Sequence, residues 1–556
     1  MRRPPEMRAI LNARVLFWIG LVTFCVVWFY GLGARVLVPT DEGRYAEMAR
    51  EMVATGNWIT TRLNGIKYFE KPPLQVWMNA LTFELFGLGE WQARLWTGLC
   101  GLFGVAAVAF TGKRLFGPSV GRNAALVLGS SVLWAMLGHI NTLDMGLSAM
   151  MTLALCALLL AQRDDASATE QRNWMLWCWA GMALAVMSKG LIGIVLPGAV
   201  LFIYTFVARD WSIWKRLHIG AGLLVFFLIT TPWFVLVSLD NPEFPHFFFI
   251  HEHLQRFTSK IHHRAGPLYY FLPILLLGMV PWLGVLVQGV LQGVRNVPGT
   301  FQPKKMLLVW AGFIFFFFSI SSSKLPSYIL PIFPALALLL ACYLERVSQR
   351  VLLLNAALLT ALGIAGLALL QRVPLLANTP FELPLYQAYL PCIAVAAAIA
   401  ACGGAFAMLL TRRHTTAAIA VTAFAGFLAG QCLMLGHDPL GRYAAGYALV
   451  AAVKAELTPQ TRMYAVQRYE QSLPFYLQRT TKLVAHADEL EFGLQQQPEL
   501  WIPELDDFVT QWRAEPGKAI AIIRPDVYLD LQQLGLPMRV IGADPRRVIV
   551  TNQLQP

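Results

Sequence analysis

The stretch Pro72-Pro73-Leu74-Gln75-Val76-Trp77-Met78-Asn79-Ala80-Leu81-Thr82-Phe83-Glu84-Leu85-Phe86-Gly87 decides how the rest of the chain is placed. It is apolar enough to cross a bilayer. Yet Gln75, Asn79 and Thr82 recur at helical spacing along one face, and Glu84 interrupts the apolar surface. We read it as an interfacial helix lying on the membrane. Counted as a span, it inverts the side on which every later loop falls. Counted as interfacial, it puts Lys113, Arg114, Arg122, Arg163, Arg172, Arg209, Lys215 and Arg216 on one side. Arg295, Lys304, Lys305, Arg346, Arg350, Arg412 and Arg413 join them, together with the N-terminal arginines Arg2, Arg3, Arg8 and Arg14. This is the positive-inside pattern.

The chain's 556 residues are 57% hydrophobic and only 14% charged, with a mean hydropathy of +0.54. No soluble core needs apolar runs so long or so numerous. From Val15–Leu32 and Trp91–Gly112 to Ala417–Met434 the runs number about thirteen, which leaves the N-terminus cytoplasmic and the C-terminus outside. The expected fold is therefore a polytopic α-helical membrane protein over residues 1–436, with external loops at 33–90 and 240–267. Residues 437–556 alternate helix and strand signals and read as a small soluble α/β domain outside the cytoplasm, without a glycine-rich phosphate loop. The net charge of +12 sits largely at the ends of apolar runs, where it sets topology and meets anionic lipid, so a nucleic-acid partner is not expected. The eight cysteines lie in or beside apolar runs and form no disulfide framework. Met1–Arg14 with the long run after it reads as a signal anchor.

That topology gathers the informative polar residues on the outer face. Asp41, Glu42, Arg44 and Tyr45 open a helical pattern just beyond the first span, where the positive end of a helix favours carboxylates. The same loop holds Lys67-Tyr68-Phe69-Glu70-Lys71-Pro72-Pro73. Asp144, Lys189, the loop with His251 and Arg256, and the turn with Lys324 and Tyr328 fall on that side too. Basic groups there run against the topological preference, and such charges mark function. Arg44, Lys71, Lys189 and Arg256 suit a lipid phosphate, and Tyr45, Tyr68, Lys324 and Tyr328 suit a sugar. Asp41, Glu42 and Asp144 are the candidate catalytic carboxylates, while Glu70 and His251 offer two ligands to a divalent cation.

These motifs resemble the GT-C polyprenyl-phosphate glycosyltransferases, relatives of the protein O-mannosyltransferases. The resemblance rests on the external Asp41-Glu42, on Tyr68-Phe69-Glu70-Lys71-Pro72-Pro73, on Ser323-Lys324-Leu325-Pro326-Ser327-Tyr328 and on the soluble C-terminal domain. The mannosyltransferases usually carry His-Pro-Pro where Lys71-Pro72-Pro73 stands, and the pattern is most similar to the members that act on lipid A. The resemblance implies transfer of 4-amino-4-deoxy-L-arabinose from undecaprenyl phosphate to a lipid A phosphate. It also implies a multi-pass protein of the Gram-negative inner membrane, with its site facing the periplasm; we expect a monomer. By the same resemblance Asp41 is the catalytic acidic residue and Lys71 and Arg256 hold the donor phosphate. Glu70 and His251 fall where a metal such as zinc would sit, with no cofactor required. Two other readings stand beside it. One is a transferase for another lipid-linked sugar or a protein acceptor. The other is a lipid-linked sugar transporter, which predicts internal repeats that the sequence does not display.

Overall fold

The computed structural model describes residues 5–255 and 266–555. Each apolar run expected to cross the membrane contains helix, beginning with α1 (Pro5–Gly33). The loop that follows carries α2 (Asp41–Thr55), a short hairpin and α3 (Leu74–Phe86), before the next long apolar helix, α4 (Glu90–Phe116). Among the described residues, eight helices are long and apolar enough to span a membrane; a ninth follows if the pair Phe271–Gly278 and Leu283–Val294, bent by 109°, is one span. The other expected runs are shorter, as Trp18–Gly33 and Ile192–Ala208, are broken at Ser131, or begin on a polar turn, as Ala168–Lys189.

The two broken runs meet. The Val132 N–H donates to the Val280 carbonyl at 3.1 Å, and Trp282 Nε1 donates to Ser130 Oγ at 2.9 Å. Each break thus satisfies polar groups that the other leaves open, as backbone away from water requires. The core is built on Leu143–Ala161 and Pro326–Leu344, whose apolar windows are 94% and 89% buried. By contrast α1 leaves Trp18, Ile19, Val22 and Val26 exposed, an edge suited to lipid.

Helix α3 turns its polar stripe inward. Gln75 Nε2 and Asn79 Nδ2 donate to Asn141 Oδ1 at 2.8 and 2.9 Å, while Leu81, Leu85 and Phe86 are exposed. The hairpin before it pairs β1 (Arg62–Leu63) with β2 (Ile66–Lys67) through Asn64-Gly65, both at positive φ (59° and 76°). That is the turn in which Asn-Gly is favoured.

The C-terminal residues form a mixed six-stranded sheet in the order β5-β4-β3-β6-β8-β7. Its strands are β3 (Arg462–Val466), β4 (Lys482–Val484), β5 (Trp501–Ile502), β6 (Ala519–Ile523), β7 (Arg539–Asp544) and β8 (Arg547–Thr551). Strands β3, β4, β5 and β6 run parallel, and β7 and β8 close the other edge antiparallel. This domain docks on the loop that carries α2 and the hairpin. Asn64 Nδ2 donates to the Thr481 carbonyl at 2.6 Å, and the Leu37 N–H donates to the Tyr476 hydroxyl at 2.7 Å. Contact with α2 is so close that a Cβ on Gly43 would stand 2.4 Å from the Gln471 carbonyl oxygen.

Candidate active site

The docking leaves a cavity of about 480 Å³ between the membrane helices and the C-terminal sheet. Asp41, Arg44 and Tyr45 enter it from the first turns of α2, and Glu70 and Lys71 from the loop before α3. Asp144 enters from the start of Leu143–Ala161, where the Thr142 hydroxyl accepts its N–H at 3.0 Å. Lys189 comes from the end of Ala168–Lys189, and Tyr328 from the turn after Leu325. These segments are far apart in sequence, yet the fold brings all eight residues to one space.

Charges inside it are arranged in pairs. Lys189 makes an ion pair with Asp144, and its ammonium lies 4.7 Å from the centroid of the Tyr328 ring. Lys71 Nζ lies 2.8 Å from the Glu70 carbonyl and 3.8 Å from its carboxylate. The Arg44 guanidinium bridges two carboxylates, at 3.4 Å to Asp41 and 2.8 Å to Glu489. Burial pushes the Glu489 carboxyl above its ordinary pKa; Arg44 opposes that rise, and the charge of Glu70 adds to it. The Asp41 side chain is 42% exposed.

Several expected residues lie elsewhere. Glu42 does not line the cavity: it is buried and gripped by Arg94, with Nε and Nη2 at 2.6 and 2.8 Å. Its oxygens also accept the Val38 and Asn141 N–H groups, each at 2.9 Å. Arg94 spends its other N–H groups on the carbonyls of Leu32, Arg35 and Val36 at 2.7–2.9 Å. Burial disfavours the Glu42 charge, but Arg94 overcomes it and holds the carboxyl below its usual range. A carboxylate so fully engaged is tied into the scaffold beside Asp41, the next residue, which does line the cavity. Of the three carboxylates expected to be catalytic, the cavity brings together Asp41 and Asp144 and leaves Glu42 outside its lining.

Tyr68 is buried under the loop without lining the cavity. Lys324 turns back to cap helix carbonyls, with Nζ 2.6 Å from Ser319 O and 2.8 Å from Ser321 O, so Leu325 and Tyr328 represent that turn in the lining. His251 stacks on Phe247 with ring centroids 5.1 Å apart. Arg256 lies outside the described residues. Among the described residues no group of three or more His, Cys, Asp or Glu side chains is placed to hold a metal ion.

The sequence reading missed the other wall. Gln467–Gln471 follow β3 and His486–Leu490 follow β4, so both lining segments leave the carboxyl edge of parallel strands, where ligands bind in open α/β sheets. Arg546 joins them. Gln467 and Asp488 hold φ of 50° and 45°, values that cost a non-glycine residue free energy and gather at binding sites. In the sequence these segments are marked only as polar loops that follow two short apolar strands.

Comparison with known proteins agrees with this division. Residues 70–235 match the family model of dolichyl-phosphate-mannose-protein mannosyltransferases. Residues 449–552 match that of the aminoarabinose transferase C-terminal domain. A helical membrane domain of the first kind, with a charged cavity at one end, defines the class: an integral-membrane glycosyltransferase. The crystal structure of ArnT from Cupriavidus metallidurans bound to undecaprenyl phosphate is 42% identical, with a TM-score of 0.94 over 98% of this chain and 99% of that one. The chain belongs to the aminoarabinose transferase family. Undecaprenyl phosphate-alpha-4-amino-4-deoxy-L-arabinose arabinosyl transferases from Edwardsiella ictaluri and Sodalis glossinidius are 33% and 34% identical. Those alignments cover 64% of this chain, and 65% and 64% of the relatives' own lengths.

Proposed function

We propose that the chain transfers 4-amino-4-deoxy-L-arabinose from undecaprenyl phosphate to a phosphate of lipid A. It does so as a monomer at the periplasmic face of a bacterial inner membrane, with about thirteen spans. The observation that carries this reading is the single cavity where Asp41, Lys71, Asp144 and Lys189 converge. A lipid A phosphate is largely anionic near neutral pH, so the acceptor needs no strong base. One of its oxygens attacks the anomeric carbon, the bond from that carbon to the donor phosphate breaks, and undecaprenyl phosphate leaves with the electron pair. Lys71 and Lys189 stabilise the charge on the departing phosphate. Asp144 holds Lys189 in place, and Asp41 faces the positive charge that builds on the sugar ring and keeps the reacting groups in line. No step is assigned to a metal ion, since Glu70 and His251 offer two ligands where a catalytic zinc takes three from the protein.

Mass spectrometry of lipid A from cells with and without the gene tests the reading. Aminoarabinose on lipid A only when the gene is present supports it, and identical lipid A in both overturns it. The orientation is tested separately: alkaline phosphatase fused to the C-terminus should be active, and an inactive fusion would reverse the topology.

A further inference from the structure

We infer that the C-terminal domain reads the amine of the donor sugar, with Glu489 as the carboxylate that receives the ammonium group. The inference rests on the aminoarabinose reading above and adds the substrate feature that this domain recognises. Near Arg44 the cavity wall carries Asp41, Glu70 and Glu489 against the cations Arg44 and Lys71, and Asp488 and Arg546 line it as well. Elsewhere in the lining Lys189 is matched by Asp144 and Arg468 by Glu470. With Arg546 set against Asp488, one negative charge is left over beside Arg44, and it favours a cationic ligand there.

Unmet acceptors point the same way. Gln471 is only 7% exposed. Its Nε2 donates to Glu489 at 2.7 Å, while its Oε1 has no hydrogen-bond partner among the described residues. Tyr469, another lining residue, has a buried hydroxyl that is unpartnered among the described residues as well. Buried acceptors are rarely left unmet, and an ammonium group brings three N–H donors. The carboxyl of Glu489, raised by burial and by the neighbouring Glu70 and Asp488 despite Arg44, would be relieved by such a cation.

Ring geometry completes the case. In a pyranose the anomeric carbon and C4 stand at opposite ends of the ring. A donor phosphate held by Lys71 and Lys189 leaves the C4 end for the wall that the C-terminal domain contributes. Arg44 ties that wall to the reacting centre, since one guanidinium bridges Asp41 and Glu489.

The test uses the full-length enzyme in lipid nanodiscs with two donors. One is undecaprenyl phosphate carrying the amino sugar; the other carries L-arabinose, with a hydroxyl in place of the amine. Wild type should favour the amino donor in kcat/KM by about tenfold or more, the ratio one charge-assisted hydrogen bond gives. Glu489→Gln should cut the amino-over-arabinose ratio of kcat/KM by a similar factor, beyond any loss common to both donors that passes through Arg44. Equal losses on both donors, or a preference kept intact, would overturn the inference. Gln471→Leu, which removes the unmet acceptor, should narrow the preference in the same direction, and it decides the matter by the same criteria if Glu489→Gln does not fold. A wild type that transfers neither sugar would instead overturn the function on which the inference rests.

Discussion

Replacing Glu42 by Gln should destabilise the protein by about 3–5 kcal/mol, the cost of leaving a buried charge without its partner. The figure follows from the surroundings of Arg94. Its guanidinium is inaccessible to solvent and makes five hydrogen-bond contacts with three carbonyls and the two Glu42 oxygens. Gln presents one acceptor oxygen and a donor amide to a site that supplies only donors: Arg94 twice, the Val38 N–H and the Asn141 N–H. A typical domain is stable by only about 5–15 kcal/mol, so the loss is a large part of the whole. The assay is the fraction of detergent-solubilised protein that stays monodisperse after a graded heat step, alongside transfer activity at a temperature where the variant is still folded. Because the Glu42 carboxyl is held below its usual pKa, its contribution is full above the unfolded value and fades as pH falls through the folded one. The difference from wild type should therefore shrink in acid. The pair Glu42→Leu with Arg94→Met should recover part of the loss but not all, since three carbonyls lose their donor. A Glu42→Gln protein with the heat resistance and activity of wild type would refute the reasoning.

Three further outcomes are expected. Lys71→Ala should weaken undecaprenyl phosphate binding about tenfold or more, measured by titration in nanodiscs, because a charge-assisted contact is worth roughly 1.5–3 kcal/mol; unchanged affinity would remove Lys71 from the donor site. Gly43→Ala should lower the temperature at which a protease cuts the C-terminal domain free, since its Cβ would meet the Gln471 carbonyl at 2.4 Å and overpacking costs about 1–3 kcal/mol; an unchanged cleavage profile would contradict that close approach. Stability should also fall as pH rises from about 4.5 to about 8: Glu51, buried beside Glu47, has its carboxyl raised from 4.5 to about 8 and so keeps a proton in the folded state that the unfolded chain releases. Glu51→Gln should flatten that slope, and an equally steep fall in the variant would assign it to another group.

What the sequence made legible was whatever charge placement encodes. Lys71 and Lys189, singled out because they fall against the expected positive-inside preference, line the cavity. Rotation about a helix axis was harder to read. Asp41 and Glu42 are adjacent, but side chains one residue apart on a helix point about 100° away from each other, and only the position of Arg94 decides that Glu42 is the one turned inward. The direction in which Lys324 points was not legible, because its reach depends on how the chain leaves the helix Pro303–Ile320, whose last carbonyls it caps. The loops after β3 and β4 stayed hidden for a different reason. Their composition is that of any polar loop, and they become a wall only when the sheet docks its carboxyl edge on α2 through Asn64, Thr481 and Gly43.

The measurement closest to the central claim is lipid A modification by Asp41→Asn. At a helix start Asn serves about as well as Asp, so a structural role would survive the change. Among the described residues the Thr40 and Asp41 end of α2 carries no side-chain cap bond, and Asp41 pairs with Arg44 at 3.4 Å. The account expects normal folding and near-normal donor binding, with transfer reduced by about a hundredfold or more. Lipid A modified by the Asn variant at near wild-type level would contradict it.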